Sequence, residues 1–164
     1  FNWYGTGLDS IFTPKEGSSR VITQFLGNIS RGSNLSLVDG GLQRRAFTYV
    51  DDGINALIKN IENKEKIASA KIYNIGSPEN DYSIKELAEV MLDVAGELKE
   101  YSSVIGKVNI VDVKSDSYYG KGYQDVKSRV PWIDNLKDEL GWSPKVNLKD
   151  GIRAIFEFPI GWWG

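Results

Sequence analysis

A chain of 164 residues can bury one sizeable core, and a formal charge of -2 gives it no overall pull toward nucleic acid or anionic lipid. It contains neither Cys nor His, which excludes disulfides, thiolate and imidazole metal ligands and imidazole bases; no metal site is expected, and any catalysis must run on carboxylates, Tyr, Lys, Arg, Ser or a bound cofactor. No apolar run is long enough for a membrane span and no signal peptide opens the chain, so a cytoplasmic location is the simplest expectation.

In chain order, Phe1 to Tyr4 reads as a strand entering the turn Gly5-Thr6-Gly7. Ser18 or Ser19 caps a helix whose inner face is Val21, Ile22, Phe25, Leu26 and Ile29, ending at Gly32. Leu35 to Val38 is a short strand into the turn Asp39-Gly40-Gly41, and Ala46 to Val50 is a second. Asp51 is placed to cap a helix with Ile54, Leu57, Ile58 and Ile61 on one face. Ile72 to Ile75 reads as a strand stopped by Gly76-Ser77-Pro78. Ser83-Ile84-Lys85-Glu86 is a capping box, opening a helix with Leu87, Ala88, Met91, Leu92 and Ala95 inward. Val108 to Val113 is a weakly alternating strand, Ile133 to Leu140 a helix closed by Gly141, and a last helix packs Leu148, Ile152, Ile155 and Phe156. The fold class is α/β. The chain opens without Met and closes on an aromatic tail, so both ends read as cut from a larger fold.

Three segments carry candidate chemistry. Ser115 to Arg129 gathers three tyrosines, two lysines, an arginine and the breakers Gly120 and Gly122 around the single aliphatic Val126. Such a loop suits a polar, negatively charged small molecule, or else is a solvated loop covering a neighbouring helix. Asp39 to Arg45 joins two strands. Its glycines admit close backbone approach and its paired arginines suit phosphate, the alternative being a hairpin turn with exposed arginines. Asn2 ends the opening strand, where an amide can bond a sugar or phosphate or simply form a turn.

Phe1 to Gly5, Gly17 to Gln24, Val38 to Arg45, Phe47-Thr48, Tyr73 to Gly76 and Ser117 to Val126 together resemble the UDP-glucuronate decarboxylase domains of bifunctional polymyxin-resistance enzymes, a branch of the extended short-chain dehydrogenases. The resemblance runs from Phe1 to about Phe156. It implies that residues 1–156 are the C-terminal, substrate-binding half of an NAD-dependent epimerase/dehydratase-type domain, that the Rossmann half is missing, and that 157–164 is an atypical aromatic tail. It implies UDP-glucuronate as substrate, contacted by Asn2, by the segment Ser36, Leu37, Val38, Asp39, Gly40, Gly41, Leu42, Gln43, Arg44 and Arg45, and by Tyr123. Arg45 is the expected diphosphate clamp. Arg129 matches the arginine proposed as proton donor after decarboxylation, although electrostatic stabilisation of an enolate suits a guanidinium better than proton donation. NAD would be bound mainly by the missing half. A homo-oligomer is expected when the protein is complete, with no nucleic-acid partner and a part in lipid A modification.

There are departures from that pattern. No Gly-x-Gly-x-x-Gly follows a strand, and no Tyr-x-x-x-Lys pair or upstream Ser-Glu pair can be placed. Thr6 stands where the family has proline, Ser36 and Leu42 stand where basic residues are common, and the tail after Phe156 leaves the pattern. The leading expectation is oxidative decarboxylation of UDP-glucuronate to a UDP-4-keto-pentose (UDP-4-keto-arabinose), with the isolated chain inactive. A decarboxylase forming UDP-xylose and a non-catalytic nucleotide-sugar binding fragment stay open beside it. A nucleic-acid binder using Arg44, Arg45 and the tyrosines is disfavoured by the acidic balance.

Overall fold

The computed structural model describes residues 1–12, 20–118 and 126–158. Among them, helices and short strands alternate: β1 (Trp3–Tyr4), α1 (Val21–Ser30), β2 (Leu35–Val38), β3 (Arg44–Ala46), β4 (Thr48–Tyr49), α2 (Val50–Glu62), β5 (Asp81–Ser83), α3 (Ile84–Glu97), β6 (Ile110–Val113), α4 (Ser115–Tyr118), α5 (Asp134–Leu140) and α6 (Leu148–Glu157). The mixed α/β class read from the sequence holds.

The strands form three two-stranded sheets. Strand β1 runs parallel to β4, with Trp3 opposite Thr48, and β2 runs parallel to β6, with Leu35 opposite Ile110 and Val38 opposite Val113. Strands β3 and β5 are antiparallel, with Arg44 opposite Ser83.

The principal core lies where α1, α3 and α6 close over β2. Ile22, Phe25, Leu26 and Ile29 come from α1, Leu87, Ala88, Met91, Val94 and Ala95 from α3, and Leu148, Ile152, Ile155 and Phe156 from α6. Each set recurs every three or four residues, which puts one helical face inward. Helix α3 starts as its sequence dictates: the Ser83 hydroxyl accepts the Glu86 amide and the Glu86 carboxylate accepts the Ser83 amide. In α6 the Asn147 side chain accepts the Asp150 amide at 2.9 Å. A smaller cluster joins Ala56 of α2 to Ile133, Leu136 of α5 and Trp142. Gly141 closes α5 in the left-handed conformation. Phe158, at the start of the expected tail, packs half-buried against the principal core.

Several expectations need correction. Residues 46–50 are not one strand: β3 pairs with β5, the Phe47 amide still bonding the Asn80 carbonyl opposite it, whereas β4 turns to pair with β1 and Val50 already begins α2. Ser18 and Ser19 lie outside the described residues; Arg20 occupies the N-cap of α1 without a side-chain cap. Asp51 caps nothing, since Tyr49 holds the N-cap of α2. Asp52 is the buried acid instead, its Oδ2 accepting the amides of Lys145 and Val146, both at 3.0 Å. The face of α2 expected to be inward is outward: Ile54, Leu57, Ile58 and Ile61 are 45%, 42%, 48% and 82% exposed, whereas Gly53 and Ala56 are buried. The Trp3 ring packs so close to Gly53 that a Cβ there would clash, and Ala56 packs against Ile133, Leu136 and Trp142. Residues 72–75 carry no strand: their carbonyls meet the Asn135 side chain at Ile72 and the Trp3 indole and Phe1 amino group at Ile75, with no ladder formed. The strand expected over 108–113 is confined to Ile110–Val113.

Candidate functional site

The turn after β2 is built for backbone display. Asp39, Gly40 and Gly41 have φ of 48°, 76° and 65°, three consecutive residues in the left-handed region. A Cβ on Gly41 would come within 3.0 Å of the Lys85 amide nitrogen, so glycine is required there. Asp39 bears a side chain in the same region, and Oδ1 of its carboxylate accepts the Ser115 amide at 3.1 Å. Hydrogen bonds from the Ser115 hydroxyl and amide hold that carboxyl below its ordinary range. Asp112 Oδ1 in turn accepts the Gly40 amide at 2.6 Å. The turn is thereby fastened to β6 and to the start of α4.

Its far end is fastened to the other side of the tyrosine-rich stretch. The Arg44 amide donates to the Lys127 carbonyl at 2.8 Å. Arg45 Nη1 donates to the Val126 carbonyl at 2.7 Å and to the Arg44 carbonyl at 2.7 Å. Both feet of the stretch between α4 and Val126 therefore rest on the Asp39–Arg45 segment, and these two expected regions are brought together. Tyr118, at the upstream foot, donates its hydroxyl proton to Gln24 Oε1 of α1 at 3.0 Å. Tyr123 lies outside the described residues.

The remaining expected residues sort by what holds them. Leu37 and Val38 bury their side chains, so β2 can offer a ligand only backbone there, while Ser36 is half-buried and Leu42 is 74% exposed. The half-buried Gln43 gives its carbonyl to the Ile84 amide. The Arg44 guanidinium is taken by acids: Nε meets Asp81 Oδ2 at 2.8 Å, Nη1 meets Glu86 Oε2 at 3.0 Å and Nη2 donates to the Asp81 carbonyl at 2.5 Å. The hydrogen bond to Asp81 raises the Arg44 pKa further. The two arginines thus differ: Arg44 pairs with Asp81 and Glu86, while Arg45 reaches the Arg44 and Val126 carbonyls.

Asn2 sits with φ 36°, its carbonyl accepting the Thr48 amide and its Nδ2 donating to the Ala46 carbonyl at 3.3 Å. It lines a cavity of about 70 Å3 with Trp3, Tyr4, Arg20, Val21, Ile22 and Phe47. Arg20 in that wall pairs with Asp9 at 2.6 Å. Arg129 is exposed, and the Phe1 amino group is held below its ordinary pKa by burial and, second, by the Arg129 charge.

The acids Asp112, Asp81 and Glu86 were not singled out as partners of this segment by sequence reasoning. Glu86 was visible as half of a capping box, but its second role toward Arg44 spans 42 residues and has no local signature. A dinucleotide does not fit the residues present: the glycine turn after β1 is Gly5-Thr6-Gly7-Leu8-Asp9-Ser10, lacking the third glycine, and no helix starts there among the described residues.

Residues 1–76 match the NAD dependent epimerase/dehydratase family. The chain is similar to the PbgP3 protein of Burkholderia pseudomallei, with 55% identity and a TM-score of 0.79 over 96% of this chain and 43% of that one. It also shares its fold with a UDP-glucuronic acid 4-epimerase of Bacillus cereus solved with UDP-glucuronic acid and NAD, at 22% identity and a TM-score of 0.73 over 98% of this chain and 43% of that one. A UDP-glucose 4-epimerase of Thermotoga maritima solved with UDP-glucose aligns at 24% identity and a TM-score of 0.67, over 96% and 43% respectively. This chain spans less than half the length of each of these proteins. No helix among the described residues is long and apolar enough to cross a membrane. The match to the NAD dependent epimerase/dehydratase family is thus carried by residues 1–76, and the similarity to PbgP3 extends over nearly the whole of this chain.

Proposed function

We propose that this chain supplies the UDP-sugar site of an NAD-dependent UDP-glucuronate decarboxylase of the ArnA type, giving UDP-4-keto-arabinose. The observation that carries the proposal is the fastening of the Asp39–Arg45 segment to both sides of the tyrosine-rich stretch, through Ser115 on one side and Val126 and Lys127 on the other. In the resembling decarboxylases, these two segments hold one ligand. Arg45 is assigned the diphosphate: its guanidinium holds the Arg44 and Val126 carbonyls, and it stands in β3 just after the turn with two glycines. Asn2 and Tyr123 are assigned the sugar. Arg129 is assigned the negative charge that develops as the carboxylate leaves, because a fixed cation there lowers the barrier without moving a proton. NAD would supply oxidation of the sugar's 4-hydroxyl, and since the residues here do not fit a dinucleotide, no redox step is assigned to this chain.

The test is calorimetric titration of UDP-glucuronate, UDP and UMP into the chain and into Arg45→Ala. Loss of a charge-assisted contact costs roughly 1.5–3 kcal/mol, so Arg45→Ala should weaken UDP-glucuronate and UDP about ten- to a hundredfold and leave UMP less affected. Equal affinities for the two proteins would remove the assignment.

A further inference from the structure

We infer that Gln24 is a positioning residue of the candidate site, the acceptor that sets where the tyrosine-rich stretch leaves the body of the protein on the sugar side. The inference rests on the proposed UDP-sugar site and adds to it a residue on α1, the helix that joins two of its parts.

Helix α4 has only four residues. A helix that short has no stability of its own, so its place is dictated by what holds its ends. Its first amide, from Ser115, is held by the Asp39 carboxylate at 3.1 Å. Its last side chain is held by α1: the Tyr118 hydroxyl donates to Gln24 Oε1 at 3.0 Å, across 94 residues of sequence. The helix is thus a strut, with one end on the glycine turn and the other on α1.

Helix α1 is a firm support. Ile22, Phe25, Leu26 and Ile29 anchor it in the principal core. Asp9 ties its start, meeting the Arg20 guanidinium at 2.6 Å and accepting the Thr23 hydroxyl at 3.1 Å. The same start supplies Arg20, Val21 and Ile22 to the wall of the cavity that Asn2 lines. Gln24 follows Arg20 by four residues, so the two are neighbours on one face of the helix. One rigid element therefore sets both the Asn2 cavity and the upstream foot of the tyrosine-rich stretch.

The side chain suits the post. Gln24 and Tyr118 are both half-buried. A glutamine offers the phenol an acceptor without charge, whereas a carboxylate would add negative charge beside a site proposed for a diphosphate and a lysine has no acceptor. Arg45 is held from the other foot, by the Arg44 and Val126 carbonyls. Loss of the Gln24 bond should therefore disturb the sugar end, to which Asn2 and Tyr123 are assigned, and spare the diphosphate end.

The experiment compares the chain with Gln24→Leu, Tyr118→Phe and the double variant. Loss of one neutral hydrogen bond should weaken UDP-glucuronate in calorimetric titration about two- to tenfold and leave UDP within about twofold. The double variant should lose no more than the larger single loss, because both changes remove the same bond. An equal loss for UDP and UDP-glucuronate, or a double loss equal to the product of the single ones, overturns the inference. Amide exchange over Ser115–Tyr118, followed by mass spectrometry without ligand, should quicken in each variant, and rates equal to the parent's overturn it as well. A parent chain that binds neither UDP nor UDP-glucuronate refutes the proposed function instead, and the exchange rates then decide whether Gln24 holds α4.

Discussion

Replacing Asp52 by alanine should be among the most damaging surface-to-core changes in this protein, although its neighbour Asp51 looks equivalent in sequence. Asp52 is buried, and its Oδ2 accepts two backbone amides, from Lys145 and Val146, each at 3.0 Å. Hydrogen bonds to a charged group contribute about 1.5–3 kcal/mol each. Both amides belong to a partly buried loop that water reaches once the carboxylate is gone, so a loss near the lower end of the sum, about 3 kcal/mol, is expected. The Asp52 carbonyl, which accepts the Trp142 indole N–H at 3.0 Å, is untouched by the change. Asp51 is exposed in the first turn of α2 and contributes only its charge at the helix N-terminus, roughly 0.3–1 kcal/mol. Urea unfolding followed by tryptophan fluorescence reads the difference, with Trp142 as a buried reporter beside the lost bonds. In Tm the contrast is on the order of 6–12 °C for Asp52→Ala against no more than about 4 °C for Asp51→Ala. Equal midpoints for the two variants would refute the reasoning.

Gly53→Ala should destabilise despite the helix-propensity gain of about 1 kcal/mol, because the new Cβ would lie 2.5–2.7 Å from the Trp3 ring and overpacking costs about 1–3 kcal/mol; a raised Tm would mean that Trp3 yields freely. The Glu86 carboxyl is held below its ordinary value, chiefly by the Ser83 amide and hydroxyl and then by Arg44. Its contribution to stability is therefore complete above the ordinary glutamate value, about 4.3, and is lost as pH falls through the depressed one. Melts at descending pH should show Glu86→Gln flattening that part of the curve, and an unchanged profile would deny the linkage. In a complete enzyme, Arg129→Met should lower kcat on the order of a hundredfold with little change in KM, while Tyr123→Phe should be milder and act on both. A near-normal kcat for Arg129→Met, measured beside a melting curve, would assign Arg129 to loop anchoring instead.

The parts of the fold that were legible in the sequence are those specified locally. The capping box at Ser83, the glycine stop at Gly141 and the inward faces of α1, α3 and α6 each depend on residues within two turns of one another. The misreadings fall where the deciding partner is far away. Asp52 was passed over for Asp51 because its acceptor role is set by amides more than ninety residues on. The larger apolar face of α2 suggests the wrong inner side, because the packing side is chosen by distant partners, Trp3 over Gly53 and Ile133, Leu136 and Trp142 over Ala56. The segment 72–75 has strand composition, but it forms no ladder; the Asn135 and Trp3 side chains and the Phe1 amino group bond its carbonyls instead. In the candidate site the glycine turn and the paired arginines were readable as types. The distinction between Arg44, held by Asp81 and Glu86, and Arg45, directed to Val126, was not, since adjacent residues in a strand face opposite ways and only the tertiary partners say which way matters.

The two-footed attachment of the stretch between Ser115 and Val126 makes that part of the chain an exchangeable cassette. Its ends are fixed by Asp39 on one side and by Arg44 and Arg45 on the other, and none of these three residues belongs to the stretch itself. Its length and side chains can then be altered without shifting where it leaves and rejoins the body, and lengthening a loop between fixed ends is inexpensive, about 0.6 kcal/mol for each doubling. Under the proposed UDP-sugar site, variants of 119–125 can be screened against different sugars with the turn of glycines kept constant.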